Sequence, residues 1–201
     1  MYIEQILNEG RLGLAENKCR EFLKKNPTHT YAMSLLSEIA NRMGYFDDAE
    51  FLLEKAVSFK PNDGELRMKY ASILRKKQKF AKTMEQVNIL CEKFPDNLNY
   101  QAHKASEIMQ NGDHEEAIIL LEDILKKNPY NFSTFTSKGH AEKTLGRSDE
   151  AIQSYQSAYK VKPDHGEAYF SLANLKTYSF TESELDAMRD QADITRLETA
   201  T

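Results

Sequence analysis

The chain of 201 residues contains no tryptophan, two cysteines, five prolines and eight glycines. Two isolated cysteines, Cys19 and Cys91, make neither a disulfide framework nor a paired-cysteine metal knuckle, so both are expected to be reduced thiols, packed or partly exposed. No apolar run approaches the ~20 residues that span a membrane. The opening stretch, Met1 to Leu7, has no basic start and no apolar signal core, so no membrane partner and a cytoplasmic address are expected. The glycines stand singly, which excludes a Gly-rich phosphate loop and with it a nucleotide cofactor. A net charge of −4 lacks the basic excess that nucleic acid selects, so no nucleic-acid partner is expected.

Catalytic and metal chemistry are equally sparse. The five histidines are His29, His103, His114, His140 and His165, and none forms a His-x-x-x-His pair or lies at ligand spacing from a cysteine. His103 and Glu107, one helical turn apart, make only a weak signal, and no metal is expected. His29 and His165 stand beside helix caps and are expected to be solvated, while His114 is expected in a turn. No Ser/His/Asp set can be named, so no catalytic residue and no enzyme activity are expected of this chain.

What the chain does have is a period. Pro27, Pro61, Pro95, Pro129 and Pro163 fall 34 residues apart and account for every proline. Seventeen residues before each stands Gly10, Gly44, Gln78, Gly112 or Gly146, and twelve before stands Ala15, Ala49, Thr83, Ala117 or Ala151. Further columns read Phe22, Ala56, Leu90, Ile124, Ala158 and Ser37, Ala71, Ala105, Gly139, Ala173. Each column has a physical reason. A glycine lets the backbone turn sharply where a first helix ends. Small residues let two antiparallel helices approach closely. A proline cannot continue the second helix. Asn62, Asp63, Asp96, Asn131 and Asp164, just past the prolines, suit capping of the next helix.

Apolar residues recur at helical spacing between these marks. Leu36, Ile39 and Ala40 share one face, as do Phe46, Ala49, Leu53 and Ala56; the same holds for Tyr70, Leu74, Phe80 and Val87, for Ile108, Ala117 and Leu121, and for Leu145, Ala151, Tyr155 and Ala158. All are expected to pack. The one basic run, Arg75 to Lys82, lies at a helix C-terminus, where cations relieve the helix dipole, and has no interleaved stacking aromatics, so it is expected to be an ordinary helix end, with an acidic protein partner and then nucleic acid as the alternatives.

The period and its columns resemble the tetratricopeptide repeat (TPR) family. The resemblance implies an all-α, right-handed superhelical solenoid of antiparallel helix pairs, about five and a half repeats, plus a C-terminal helix. The expected organisation is an array over 1–178 followed by a capping helix and tail over 179–201. Within the array come a partial repeat at 1–28, full repeats at 30–63, 64–97, 98–131 and 132–165, and a half repeat at 166–178. The short helix of the stub is expected over 2–8, the second over 13–25, the last first helix over 166–177, and the terminal helix over 182–197. Thr181 and Glu184 form a capping box for that terminal helix, and Leu185, Met188, Ala192 and Leu197 continue one apolar face over the last repeat.

The TPR resemblance also implies a concave groove lined by the first helices. Counting from 31 residues before each proline, places 2, 5, 9, 12 and 13 would face it. These are Tyr31, Ser34, Glu38, Asn41 and Arg42, then Glu65, Met68, Ser72, Arg75 and Lys76, then Asn99, Ala102, Ser106, Met109 and Gln110. The remaining sets are Ser133, Thr136, His140, Lys143 and Thr144, and Glu167, Phe170, Asn174, Thr177 and Tyr178. Such a lining suits a protein or peptide partner held by hydrogen bonds and side-chain pockets. Chaperone-tail TPRs carry Lys and Asn at places 5 and 9, and no first helix here does, so no tight binding of an acidic chaperone tail is expected. The implied function is a non-catalytic protein-interaction scaffold, with weak self-association through the incomplete ends.

The run Ser171 to Met188 (Ser-Leu-Ala-Asn-Leu-Lys-Thr-Tyr-Ser-Phe-Thr-Glu-Ser-Glu-Leu-Asp-Ala-Met) is similar to the junction in bacterial proteins where a TPR array precedes a PAPS-dependent sulfotransferase domain. That resemblance implies an alternative role, an accessory or substrate-positioning array for such an enzyme. Residues 189–201 supply no strand, phosphate loop and helix, so no catalytic residue carries over.

Overall fold

The computed structural model describes residues 2–199, with side chains described to residue 191. All regular structure among the described residues is helical: α1 (Tyr2–Asn8), α2 (Leu12–Lys25), α3 (Thr30–Arg42), α4 (Phe46–Phe59), α5 (Gly64–Lys76), α6 (Phe80–Lys93), α7 (Leu98–Gln110), α8 (His114–Lys127), α9 (Phe132–Thr144), α10 (Ser148–Val161), α11 (Gly166–Ala173) and α12 (Glu182–Thr199). The chain divides into two compact units, residues 1–100 and 101–201.

The turns repeat one backbone device. Gly10, Gly44, Gly112 and Gly146 adopt φ of 75°, 82°, 97° and 77°, and Gln78 adopts 57° in the same column. Each turn closes with two bonds. The N–H of the left-handed residue donates three residues back, and the next N–H donates five back, as in Tyr45 N to Ala40 O at 2.8 Å and Lys79 N to Leu74 O at 2.9 Å. These satisfy carbonyls that a helix end leaves without partners. The second helix then starts at once: α2, α4, α6, α8 and α10 all lack a side-chain N-cap bond.

The first helices are capped by a different column from the one anticipated. Asp63 and Asn131 accept from Leu66 N and Thr134 N, each at 3.1 Å, as expected. The equivalent residues elsewhere are two past the proline: His29 Nδ1 accepts from Ala32 N at 3.1 Å, and Asn97 accepts from Asn99 N at 3.1 Å. Asn62 instead accepts from Lys93 Nζ at 2.7 Å. His29, Asp63 and Asn131, each the second residue past a proline, have the extended backbone of a cap, whereas His165 in the same column makes no side-chain cap bond.

In the first unit the small column is sealed, with Ala15, Ala49 and Thr83 at no more than 1% exposure. One cluster joins Ile3, Ile6 and Leu7 of α1 to Ala15, Cys19 and the α3 residues Leu36 and Ile39. A second joins Ala40 to Leu53, Ala56, Tyr70, Ile73 and Leu74. Cys19 is buried and Cys91 half-buried, both free thiols. Buried Arg67 donates to Gln86 Oε1 at 2.5 Å and to Pro61 O at 2.9 Å, tying a proline turn to α6. Three expected packing residues lie at helix ends instead: Phe46, Phe80 and, in the second unit, Leu145 are 37%, 46% and 37% exposed. Phe46 and Phe80 open their helices and have no preceding turn to lie against, and Leu145 falls in the turn that follows α9. Likewise His114 opens α8 rather than lying in a turn.

In the second unit α8 and α10 pack on α9, and α10 packs on α11. Ala117, Ala151, Tyr155 and Ala158 are fully buried. The last first helix is shorter than the period predicts. It ends at Ala173, and Tyr178 N donates to Leu175 O at 2.8 Å in the turn that follows. Leu175 is thereby buried, and Tyr178 and Phe180, edge to face at 5.1 Å, pack beside Tyr155 and Leu172. These aromatics pack on the last hairpin, and Leu185 and Met188 on the apolar face of the terminal helix are half-buried. Of that face, Ala192 and Leu197 lie outside the residues whose side chains are described.

The capping box forms as expected: Thr181 N donates to Glu184 Oε2 at 2.8 Å, and Glu184 N donates to Thr181 Oγ1 at 3.3 Å. The other Glu184 oxygen accepts from the hydroxyls of Tyr159, at 2.6 Å, and Tyr178, at 2.5 Å. Burial opposes the charge on this carboxyl, but the four donors outweigh it and hold its pKa down at about 2.

Two outcomes follow from these contacts. Gln78→Gly relieves the one non-glycine left-handed turn and should stabilise the chain by about 1 kcal/mol in urea unfolding, whereas Gly44→Ala should cost about the same. Because the Glu184 pKa is depressed in the folded chain, its contribution is complete above the unfolded value near 4.5 and is lost as pH falls toward about 2. A Tyr178 fluorescence or near-ultraviolet dichroism titration over that window should show the helix start loosening, and Glu184→Gln should remove the transition.

Candidate interaction face

In the first unit, α3 and α5 present a shared polar face because positions one residue out of register on successive first helices meet. Lys69 Nζ donates to Ser34 Oγ at 3.0 Å, and Lys76 Nζ donates to Asn41 Oδ1 at 2.8 Å, each pair 35 residues apart. Between them lies a cavity of about 300 Å³ lined by Ser34, Ser37, Glu38, Asn41, Lys69, Ser72 and Lys76, with Leu53 and Ile73 as its apolar floor. The period therefore brings Ser34, Glu38 and Ser72 together. Ser34, expected to line an open groove, lines this cavity at only 2% exposure, beneath Lys69.

The rest of the predicted face in this unit is varied. Tyr31 is 44% exposed and donates its hydroxyl to Glu4. Glu38 accepts from Arg42 at 2.5 Å, and Arg42 also reaches the Leu7 carbonyl at 3.4 Å. Met68 is half-buried, and exposed Ser72 donates to the Met68 carbonyl at 3.0 Å. Arg75 lays its guanidinium over the Phe80 ring, 5.1 Å from the centroid. Asn99, at the start of α7, is exposed. Two cations of the basic run serve the fold: Lys79 bonds Glu50 at 2.6 Å, and Lys77 bonds both Glu50 and Asp47. Burial opposes the Glu50 charge, yet these two ammonium groups hold its carboxyl below the usual range.

In the second unit, Ser106 is exposed and Met109 half-buried on α7. Thr136 on α9, expected to be open, is 3% exposed, and its hydroxyl meets His165 Nε2 at 2.8 Å. His165 also lies edge-on to Phe132 at 4.8 Å, so it is a packed ring rather than a solvated one. His140 Nε2 lies 3.2 Å from Ser171 Oγ and 4.0 Å from Glu167. Burial lowers its pKa, opposed by Glu167 and assisted by Lys143. Lys143 and Asn174 are exposed, and Phe170 stands 69% exposed.

The contribution of Lys69 was missed, because the groove places carried by the TPR resemblance skip it. Its signal was an offset of 35 from Ser34, one more than the repeat length.

Helix pairs joined by left-handed turns 34 residues apart define the TPR class of fold. The tetratricopeptide repeat family model matches residues 31–63 and 132–165. The chain is similar to the tetratricopeptide repeat-containing protein trd-1 of Caenorhabditis elegans, 28% identical over 134 residues, which is 66% of this chain and 16% of that protein. It thus spans about a sixth of the length of that curated relative. A tetratricopeptide repeat protein of Parabacteroides merdae superposes with a TM-score of 0.78 at 20% identity, covering 98% of this chain and 77% of that one. MamA superposes at 0.72 with 17% identity over 83% of this chain and 98% of its own. YrrB, described as a TPR protein with an unusual peptide-binding site, superposes at 0.68 with 15% identity over 85% of this chain and 88% of its own. Among the described residues no helix is long and apolar enough to cross a membrane.

Beneath the second-unit face, Gly139 leaves room for Tyr155: a Cβ there would stand 2.6 Å from the tyrosine ring. Gly139→Ala should therefore destabilise the chain by about 1–3 kcal/mol in denaturant unfolding, and Tyr155→Leu in the same chain should recover part of that loss.

Proposed function

We propose that the chain is a non-catalytic protein-interaction scaffold that holds a peptide or partner segment against its first helices. Under this reading the array runs over 1–178, with the partial, full and half repeats at the boundaries set by the prolines, and 179–201 closes it. The observation that carries the proposal is the mixed character of the first-helix faces. Tyr31 and Phe170 are large, exposed anchors set among polar side chains, and the α3 and α5 faces enclose a lined cavity. Exposed aromatics beside hydrogen-bonding groups are what interfaces use for affinity and orientation. The peptide-binding YrrB shares this fold, which supports the reading. The scaffold is proposed to act in the cytoplasm, with weak self-association through its incomplete ends. The alternative, an accessory array for a PAPS-dependent sulfotransferase, rests on residues 171–188 alone.

A pull-down with the chain, set beside one with Tyr31→Ala, Met68→Ala and Phe170→Ala combined, tests the groove. Partners captured by the parent should be lost or reduced at least tenfold with the variant. Equal capture by both overturns the proposal.

A further inference from the structure

We infer that the α3–α5 face selects an acidic partner segment, gripping two side-chain carboxylates with Lys69 and Lys76. This rests on the scaffold reading above and adds the chemistry of the occupant.

Both lysines line the cavity between α3 and α5, and both are exposed. They are seven residues apart on α5, which sets their anchor points two turns, about 10 Å, apart along the helix. Each ammonium has a neutral partner: Lys69 the Ser34 hydroxyl at 3.0 Å, Lys76 the Asn41 amide oxygen at 2.8 Å. The single carboxylate lining the cavity, Glu38, is already engaged by Arg42 at 2.5 Å. The contrast with the neighbouring cations decides the argument. Lys77 and Lys79 are matched to Asp47 and Glu50, whereas Lys69 and Lys76 leave two positive charges without a carboxylate among the described residues.

A hydrogen bond from an ammonium to a carboxylate is stronger than one to a neutral oxygen, so an incoming acid displaces Ser34 and Asn41 at a net gain. Freed Asn41 and exposed Ser72 offer hydrogen bonds to the partner backbone. In a polyproline II segment, side chains three residues apart recur on one side about 9 Å apart, which fits the lysine spacing. The recognised pattern is acid-x-x-acid inside a chain, distinct from capture of a terminal carboxylate.

The test pans the full chain against a random 12-residue display library whose peptides have no free C-terminus. A selected peptide, made with an amidated end, is then measured by fluorescence anisotropy against the parent, Lys69→Gln/Lys76→Gln and Lys69→Arg/Lys76→Arg. Thermal unfolding confirms that each variant is folded. The expected result is enrichment of paired Asp or Glu three residues apart, affinity about tenfold lower for the Gln variant, and retention by the Arg variant. Acidic peptides that bind the Gln variant equally well overturn the inference. Neutral or basic peptides that lose binding on Tyr31→Ala/Met68→Ala overturn it as well, while leaving the scaffold reading in place. Failure to select any peptide overturns both.

Discussion

A positive φ at one residue per hairpin is the constraint on which the rest depends. L-residues with a Cβ adopt that conformation at a cost, so glycine occupies it in four of the five turns, Gly10, Gly44, Gly112 and Gly146. Two backbone bonds then close the first helix and start the second within three residues. Everything downstream inherits this geometry. Because the turn is tight, the paired helices lie against each other and the facing column must be small, as Ala49 and Ala151 are. Gln78 shows that the turn is imposed by the packed pair as a whole. Its backbone follows the others although its own preference opposes it.

The polar residues divide into two groups by what they meet. Some hold hairpins together: Glu50 between Lys77 and Lys79, Glu142 with Ser154 at 2.6 Å, and Arg67 with Gln86 and Pro61. These pairs sit at the buried margin, where an unpartnered charge would be costly. Others, such as Lys69 and Lys76, bond to neutral oxygens on the preceding first helix. The first group makes a face rigid, and the second leaves it with charge to offer. This division gives the first unit a chemical character that the repeat family alone does not specify.

Much of the architecture was legible in the residues, and particular elements show why. The prolines and the left-handed column mark helix ends through local steric rules, so α1 and α2, expected over 2–8 and 13–25, run over Tyr2–Asn8 and Leu12–Lys25. The small and apolar columns report buried volume, and Ala15, Leu53, Leu74, Tyr155 and Ala158 are all sealed. The errors have a common origin in neighbours that spacing cannot reveal. Phe46, Phe80 and Leu145 satisfy the apolar pattern but stand at helix ends. Ser34 and Thr136 occupy groove places, yet Lys69 of the following repeat covers the first, and His165, at the far end of the same repeat, covers the second. The last first helix stops at Ala173 because burying Leu175, Tyr178 and Phe180 against α10 outweighs continuing the helix.

By itself the sequence determined the repeat length, the class of fold, the turn positions and the columns that pack, since each of these follows from backbone conformation or side-chain volume within about one hairpin. The tertiary structure alone decided which polar side chains meet across successive first helices. It therefore decided which lysines are matched by carboxylates and which are not. The physical reason is that such meetings depend on how far one helix slides past the next, an offset of 35 rather than 34 residues for Ser34 with Lys69 and Asn41 with Lys76, and that offset is set by the packing of whole helices.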